Sequence, residues 1–265
     1  MRFLKLVHIF TIFILSVGIS ADSDTETDKI TVAILNTEIP PYVYFGKTPD
    51  DKTGISIDIL NLLKEELNLN LVLKPLPYLR IMRDVRIGNV DGFMSWSWNS
   101  ERSKEVSYPM LGDLPDRAKR VVDDSYVIYT LKSSGIAWNG DSFNRSDIVV
   151  GINRGYSVIN EVKQHDLKID ASTNNTSTNF NRLLAKRVDA VVDIERIGDI
   201  IIKANPQLSE HVIKLEIPLI TKDYYLVLSN NYVKNHPELA KKIWNALESI
   251  REEHLATIMA RYPEQ

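Results

Sequence analysis

Cysteine is absent from the 265 residues. That excludes a disulfide framework, a cysteine-ligated zinc site and a thiol nucleophile. Long apolar runs are missing too. Nowhere do about 18 apolar residues follow one another, so no helical membrane span is expected in the mature chain. Neither sign of charge dominates: 32 Lys and Arg face 35 Asp and Glu, for a net charge of −3. There is no basic bias toward nucleic acid or acidic lipid, and no nucleic-acid partner is expected. The five histidines, at 8, 165, 211, 236 and 254, are scattered. No metalloprotease His pair, serine-nucleophile elbow or phosphate-binding glycine loop occurs, so neither catalysis nor a metal or cofactor is expected from motifs. Glycine and proline, 11 of each, are at ordinary frequency, and 44% of residues are hydrophobic. Such a composition excludes disorder, collagen and coiled coil, and the length suits one large domain or two small ones.

What is present begins with a targeting pattern. Arg2 and Lys5 precede an apolar stretch over 6–15 that only His8 and Thr11 interrupt. Ser16, Gly18, Ser20 and Ala21 then supply the small residues of a peptidase site. An export signal over 1–21, cleaved, is expected, followed by a disordered lead-in over 22–29. With no cysteine to take a lipid, the expectation is a periplasmic protein that is not a lipoprotein.

Hydrophobic periodicity organises the rest. A β-branched strand over 30–35 is followed by a proline-rich loop. A helix face then carries Ile55, Ile59, Leu62, Leu63 and Leu67. A strand over 69–73, a helix from Pro77 to about 87 and a strand over 90–94 complete a βαβαβ order. The middle repeats the pattern, with strands at 148–152, 167–171 and 189–192. Helices fall at about 156–164, 180–187 and 194–204. This order implies α/β units with mostly parallel sheets flanked by helices. After further strands at 212–217 and 224–228, Pro237 opens a long amphipathic helix that lacks a sheet of its own. The economical solution is a two-lobed molecule: lobe I over 30–118, lobe II over 119–213, and 214–265 returning to lobe I. Two crossover hinge segments, near 111–131 and 211–220, would join the lobes.

The richest stretch for chemistry is DGFMSWSWNSERSKEVSYP, 91–109. Ser97 and Asn99 offer polar groups just past an expected strand end, where ligands of open α/β sheets sit. Arg102, in the first turn of a short helix, can grip a carboxylate through two parallel hydrogen bonds. Asn99 either caps that helix or binds ligand. Trp96 and Trp98 either wall the pocket or fill the core. GINRGYS, 151–157, runs from strand through a glycine turn into a helix, which suits an anion or is plain geometry. Asp193 falls past another strand end, as partner for a ligand ammonium or as a helix cap. Arg80, Arg83 and Arg86 share a helix face that defaults to solvent, with Arg80 nearest the expected crevice.

Together these stretches resemble the family 3 bacterial extracellular solute-binding proteins, periplasmic proteins with the type II periplasmic-binding fold. The resemblance runs from about Ile30 to Tyr262 and includes PPYVYFGK, GNVDGFMSWSWNSER, GINRGYS, KRVDAVVD and the terminal ARYP. It implies a carboxylate on Arg102, an α-ammonium on Asp193, and hydrogen bonds from Ser97 and Asn99. It also implies a second carboxylate-binding turn at Gly155, Tyr156 and Ser157, and an aromatic lid at Tyr42. The sequence departs from the family pattern at Asn99 and Tyr156, where threonine is usual, and in the bulk of Trp96 and Trp98. By this resemblance the chain is expected to be a monomer that captures a small amino-acid-like zwitterion or carboxylate between its lobes. A membrane ABC permease or a membrane sensor would then read the closed state. An enzyme on this fold, dehydratase-like, would need an acid–base group, with Glu38 and Glu195 nearest by position.

Overall fold

The computed structural model describes residues 29–45, 52–165 and 167–262. The expected export signal lies outside the described residues, as does the lead-in up to residue 28. Lys29, the last residue assigned to the lead-in, is already ordered as strand and pairs with Asn70.

The first α/β unit comprises β1 (Lys29–Leu35), α1 (Ile55–Glu66), β2 (Asn70–Leu76), α2 (Tyr78–Arg86) and β3 (Gly92–Ser97). β2 and β3 flank β1 on either side, both parallel to it. Short strands follow: β4 (Val106–Ser107) and the hairpin β5 (Met110–Leu111) with β6 (Leu114–Pro115). β7 (Val122–Leu131) then leads into the second unit. That unit holds β8 (Val149–Gly151), α3 (Ile159–Lys163), β9 (Lys168–Asp170), α4 (Thr176–Leu184), β10 (Ala190–Ile194) and α5 (Glu195–Lys203). Here β8 lies between β9 and β10, again all parallel. The chain ends through α6 (Pro206–His211), β11 (Val212–Lys214), β12 (Ile220–Ser229), α7 (Asn230–Asn235) and α8 (Pro237–Ala260).

Two long strands join the units. β12 pairs antiparallel with β3 through Tyr224–Leu228, and β7 pairs antiparallel with β10 through Tyr126–Thr130. Between those segments the two strands pair with each other, Val122–Tyr126 against Ile220–Tyr224. Among the described residues one sheet therefore runs β2-β1-β3-β12-β7-β10-β8-β9 across a two-lobed α/β molecule. The lobe edge expected at 118/119 lies shortly before β7, and the one expected at 213/214 falls inside β11, ahead of β12.

Each lobe buries its own sheet faces. In the first, Ile81 and Val85 of α2 pack with Phe93, Trp96 and Tyr225. In the second, Phe180 and Leu183 of α4 pack with Tyr129, Val191 and Leu208. α8 lies on α1, and residues just past it seal the contact. Arg261 Nη1 and the Tyr262 hydroxyl each donate to Asp58 Oδ2 at 2.8 Å. The Tyr262 hydroxyl also accepts from Gly54 N at 2.9 Å, at the head of α1. Gly54 has φ +110°, and a Cβ there would stand 2.3 Å from the Tyr42 carbonyl oxygen. Glycine thus lets the start of α1 press against the loop that carries Tyr42.

Candidate functional site

A cavity of about 250 Å³ opens between the lobes. Its wall includes Leu35 at the end of β1 and Asn36 past it, Pro77 past β2, Ser97 at the end of β3 and Ile194 at the end of β10. These are the carboxyl ends of parallel strands, where an open α/β sheet leaves a crevice.

At one part of this wall sits Arg102. It opens a single 3-10 turn, Arg102–Lys104, and its backbone N–H donates to Asn99 Oδ1 at 2.7 Å. The side chain is only 5% exposed. Its Nη1 donates to the Ser97 carbonyl at 2.5 Å, which also accepts from the Tyr108 hydroxyl at 2.9 Å. The guanidinium carbon lies 4.8 Å from the centre of the Trp96 ring, a cation–π distance. No carboxylate of the described residues pairs with Arg102. Burying a charge without a counter-ion is costly, so this end of the cavity calls for an anion.

The neighbouring β3 backbone explains how Ser97 reaches the crevice. Ser95 has φ 77°, and the register against β12 shifts between Tyr225 and Val227. That irregularity re-aims the last residues of the strand, as bulges beside binding sites do. Ser97 Oγ shares a 2.7 Å hydrogen bond with Ser157 Oγ of the other lobe. Nearby, Trp96 Nε1 donates to the Tyr78 hydroxyl at 3.2 Å, and that hydroxyl donates to the Gly155 carbonyl at 3.3 Å. Gly155 has φ +86°, and a Cβ there would meet Tyr78 Cε1 at 2.9 Å. The lobes are in contact, and Gly155 is the residue that lets the second approach so closely. Lys222 Nζ donates to Ser157 Oγ at 3.2 Å, its charge offset by Glu161 at 2.6 Å.

Among the described residues Asp124 is the carboxylate on the wall. It comes from β7, is 5% exposed, and accepts from Arg196 Nε of α5 at 3.0 Å. Its other oxygen accepts from the Tyr42 hydroxyl of the first lobe. Burial pushes this acid up to about 6, against the pull of Tyr42 and Arg196. Arg154 also lines the cavity, its guanidinium donating to the Ala171 and Ser172 carbonyls at 3.2 and 2.9 Å. Aromatic rings fill much of the remaining wall. Tyr156 meets Tyr78 and Tyr126 edge to face, with ring centres 6.4 and 6.1 Å apart. The Tyr224 hydroxyl lies beside that of Tyr126 but makes no well-formed hydrogen bond.

Of the residues singled out from sequence, Arg102, Ser97, Ser157, Tyr156, Tyr42 and Trp96 all line this cavity. Four others do not. Asp193 is fully buried behind the wall, where its carboxylate accepts from Thr176 Oγ1 at 2.6 Å, Asn153 Nδ2 at 3.2 Å and Ile194 N at 2.8 Å. Burial also pushes Asp193 up to about 6. Asn99 takes its capping alternative. Gly155 contributes backbone shape at the lobe contact. Arg80 belongs to the solvent face of α2: its side chain is 57% exposed and pairs with Asp84 at 3.4 Å. Trp98 packs at the edge of the first-lobe core, away from the cavity. Glu38 and Glu195 do not line it either; Glu195 pairs with Lys214 at 2.6 Å. The described residues hold no cluster of His and acidic side chains that fits a metal. Sequence reasoning passed over Asp124, Tyr78, Arg154 and Asn175. Asp124 had one visible signal, since it falls within an expected crossover.

The family model described as bacterial extracellular solute-binding proteins, family 3, matches residues 30–265. No curated protein sequence gives a significant match. Among solved structures, the chain is similar to a substrate-binding protein of an amino acid ABC transporter. That match has a TM-score of 0.65 and 17% identity, and covers 89% of this chain and 100% of the other. A histidine kinase sensor domain with similarity to periplasmic binding proteins superposes with a TM-score of 0.70, at 16% identity, over 89% of this chain and 96% of that one. An ancestral amino acid-binding protein, a precursor of cyclohexadienyl dehydratase, gives 0.66 at 18% identity, over 88% and 95%. At such identities the likeness is one of fold.

Proposed function

Since the chain belongs to family 3 of the bacterial extracellular solute-binding proteins, a family of the periplasm and cell exterior, we propose that it clasps a small carboxylate-bearing solute on Arg102 and passes it to a membrane ABC permease. The observation that supports this reading is the buried Arg102 guanidinium, which faces the inter-lobe cavity and has no carboxylate partner among the described residues. A ligand carboxylate completes it with charge-assisted hydrogen bonds. The cavity of about 250 Å³ has room for about eight waters, the bulk of a free amino acid or a similar small acid.

Closure carries the signal. Ser97 comes from one lobe and Ser157 from the other, so polar groups converge on a ligand only when the lobes meet. A ligand that touches both lobes favours the closed state, and the membrane partner distinguishes closed from open. A membrane sensor would read the same closure, and the fold likeness to a histidine kinase sensor domain favours keeping that as the second reading. In either case the chain is exported through a cleaved signal, is not lipid-anchored and acts as a monomer.

Mass spectrometry of the solute released from the purified protein, followed by calorimetric titration of that solute, tests the reading. Arg102→Ala is expected to weaken binding at least about thirtyfold, the loss that follows from removing one member of a buried charge pair (about 2–5 kcal/mol). Unchanged affinity in Arg102→Ala overturns the assignment.

A further inference from the structure

A buried cation stands just behind the cavity wall, on one of the strands that join the lobes. We infer that this residue, Lys222, is a positioning residue for the solute: it fixes the Ser157 hydroxyl as a hydrogen-bond donor to the carboxylate that Arg102 grips. The inference rests on the carboxylate reading of Arg102 above.

Lys222 lies on β12 opposite Asp124 of β7, where the two strands pair between the lobes. Its side chain is 9% exposed. Its Nζ reaches two groups of the second lobe, Glu161 Oε1 of α3 at 2.6 Å and Ser157 Oγ at 3.2 Å. Glu161 balances the charge, so what Lys222 brings to the site is a directed N–H rather than net attraction for an anion. An ammonium has no lone pair, so it can only donate to Ser157, and the hydroxyl accepts. A hydroxyl that accepts from a charged donor is polarised and gives its own proton more strongly. Lys222 thereby selects a direction for the 2.7 Å bond between Ser157 Oγ and Ser97 Oγ, in which distance alone lets either atom donate. Ser157 is the donor.

Ser97 ties that proton to Arg102. The Ser97 carbonyl accepts from Arg102 Nη1 at 2.5 Å, and Arg102, Ser97 and Ser157 line the same cavity. A carboxylate that reaches Arg102 from the cavity meets the Ser157 hydroxyl already turned to donate. Carboxylate oxygens only accept, so this is the orientation they need. A hydroxyl left to rotate would first have to be ordered, at a cost in affinity.

A double-mutant cycle in the full chain tests the inference. The probes are the twenty free L-amino acids with lactate, succinate and benzoate, and the tightest binder among them is carried through. Lys222→Met keeps the apolar stem and removes the donor. It is expected to weaken that probe at least about tenfold, the scale of one lost hydrogen bond to a charged group. In a Ser157→Ala chain the same substitution is expected to change affinity less than about twofold, because Lys222 acts through that hydroxyl. Should Lys222→Met show no cooperative thermal transition, Lys222→Met with Glu161→Gln replaces it in the cycle, so that no carboxylate is left unpaired. The same outcomes are expected. No loss from removing Lys222, or an equal loss in both backgrounds, overturns the inference; the carboxylate reading then stands if Arg102→Ala still abolishes binding. If no probe binds, or if binding is indifferent to Arg102→Ala, the carboxylate reading falls and this inference falls with it.

Discussion

Asp193 illustrates how far a single residue can be read. It was expected just past a strand end, but β10 runs on to Ile194, so Asp193 lies inside the strand, and the direction of its side chain was not visible either. β10 is buried on both faces, so no alternation of polar and apolar residues marks which side meets the crevice. The structure turns the carboxylate inward onto Thr176, Asn153 and Ile194 N. Asp193→Ala strands those donors, and urea unfolding is expected to find it about 1–3 kcal/mol less stable. The pH dependence follows from the sign of the shift. Asp193 is raised from 3.8 to about 6, so the fold prefers its protonated form. That stabilisation is complete below 3.8 and is lost as pH rises through about 6. Relative to Asp193→Asn, which cannot titrate, the wild-type chain should therefore lose stability as pH is raised across this window. A constant difference would contradict the assignment. That Arg102 would stand at the crevice was legible because its setting is local: a charged residue beside serine and asparagine near a strand end. The place of Asp124 was not, because its partners, Arg196 and Tyr42, lie 72 and 82 residues away in sequence.

Elements were legible where periodicity ran long and obscure where side chains compete with backbone. α1 and α8 follow their apolar faces. β3 extends to Ser97, beyond the expected end at Met94, because Trp96 is a core residue that keeps the strand paired with β12. α4 begins at Thr176, ahead of the expected Phe180. Asn175 caps it by accepting from Thr178 N at 2.9 Å, and the Ser, Thr and Asn run of its first turn has low intrinsic helix propensity. The helix expected over 156–164 shortens to α3, since the turn at Gly155 is occupied by the lobe contact. α6 escaped notice although its signal is plain: Asn205 caps it and Pro206 takes the first turn. Asn205 Oδ1 accepts from Gln207 N and Leu208 N at 3.0 and 3.4 Å. Asn205→Ala is expected to cost about 1 kcal/mol in urea unfolding. Ligand affinity should not change, because Asn205 lies outside the cavity wall. A loss of affinity would mean that α6 is coupled to the site.

At the scale of the whole molecule, the order of strands and helices was enough to announce two α/β units with a returning tail. What it could not supply was how they join. β7 and β12 pair with each other between the lobes, so one sheet passes through the waist and the crevice opens above it. Two antiparallel strands can twist and bend without breaking their ladder, which suits a hinge. In the proposed account the lobes close on Arg102, which has no carboxylate partner among the described residues. A ligand at a hundred times its dissociation constant adds about 2.7 kcal/mol to stability, so binding should raise the melting temperature measurably in a thermal-shift titration. The most direct test is a crystal structure of the protein with the solute that co-purifies with it. The account predicts a carboxylate within hydrogen-bonding distance of the Arg102 guanidinium, with contacts from both lobes. A ligand bound elsewhere, with Arg102 still lacking an anion, would contradict it.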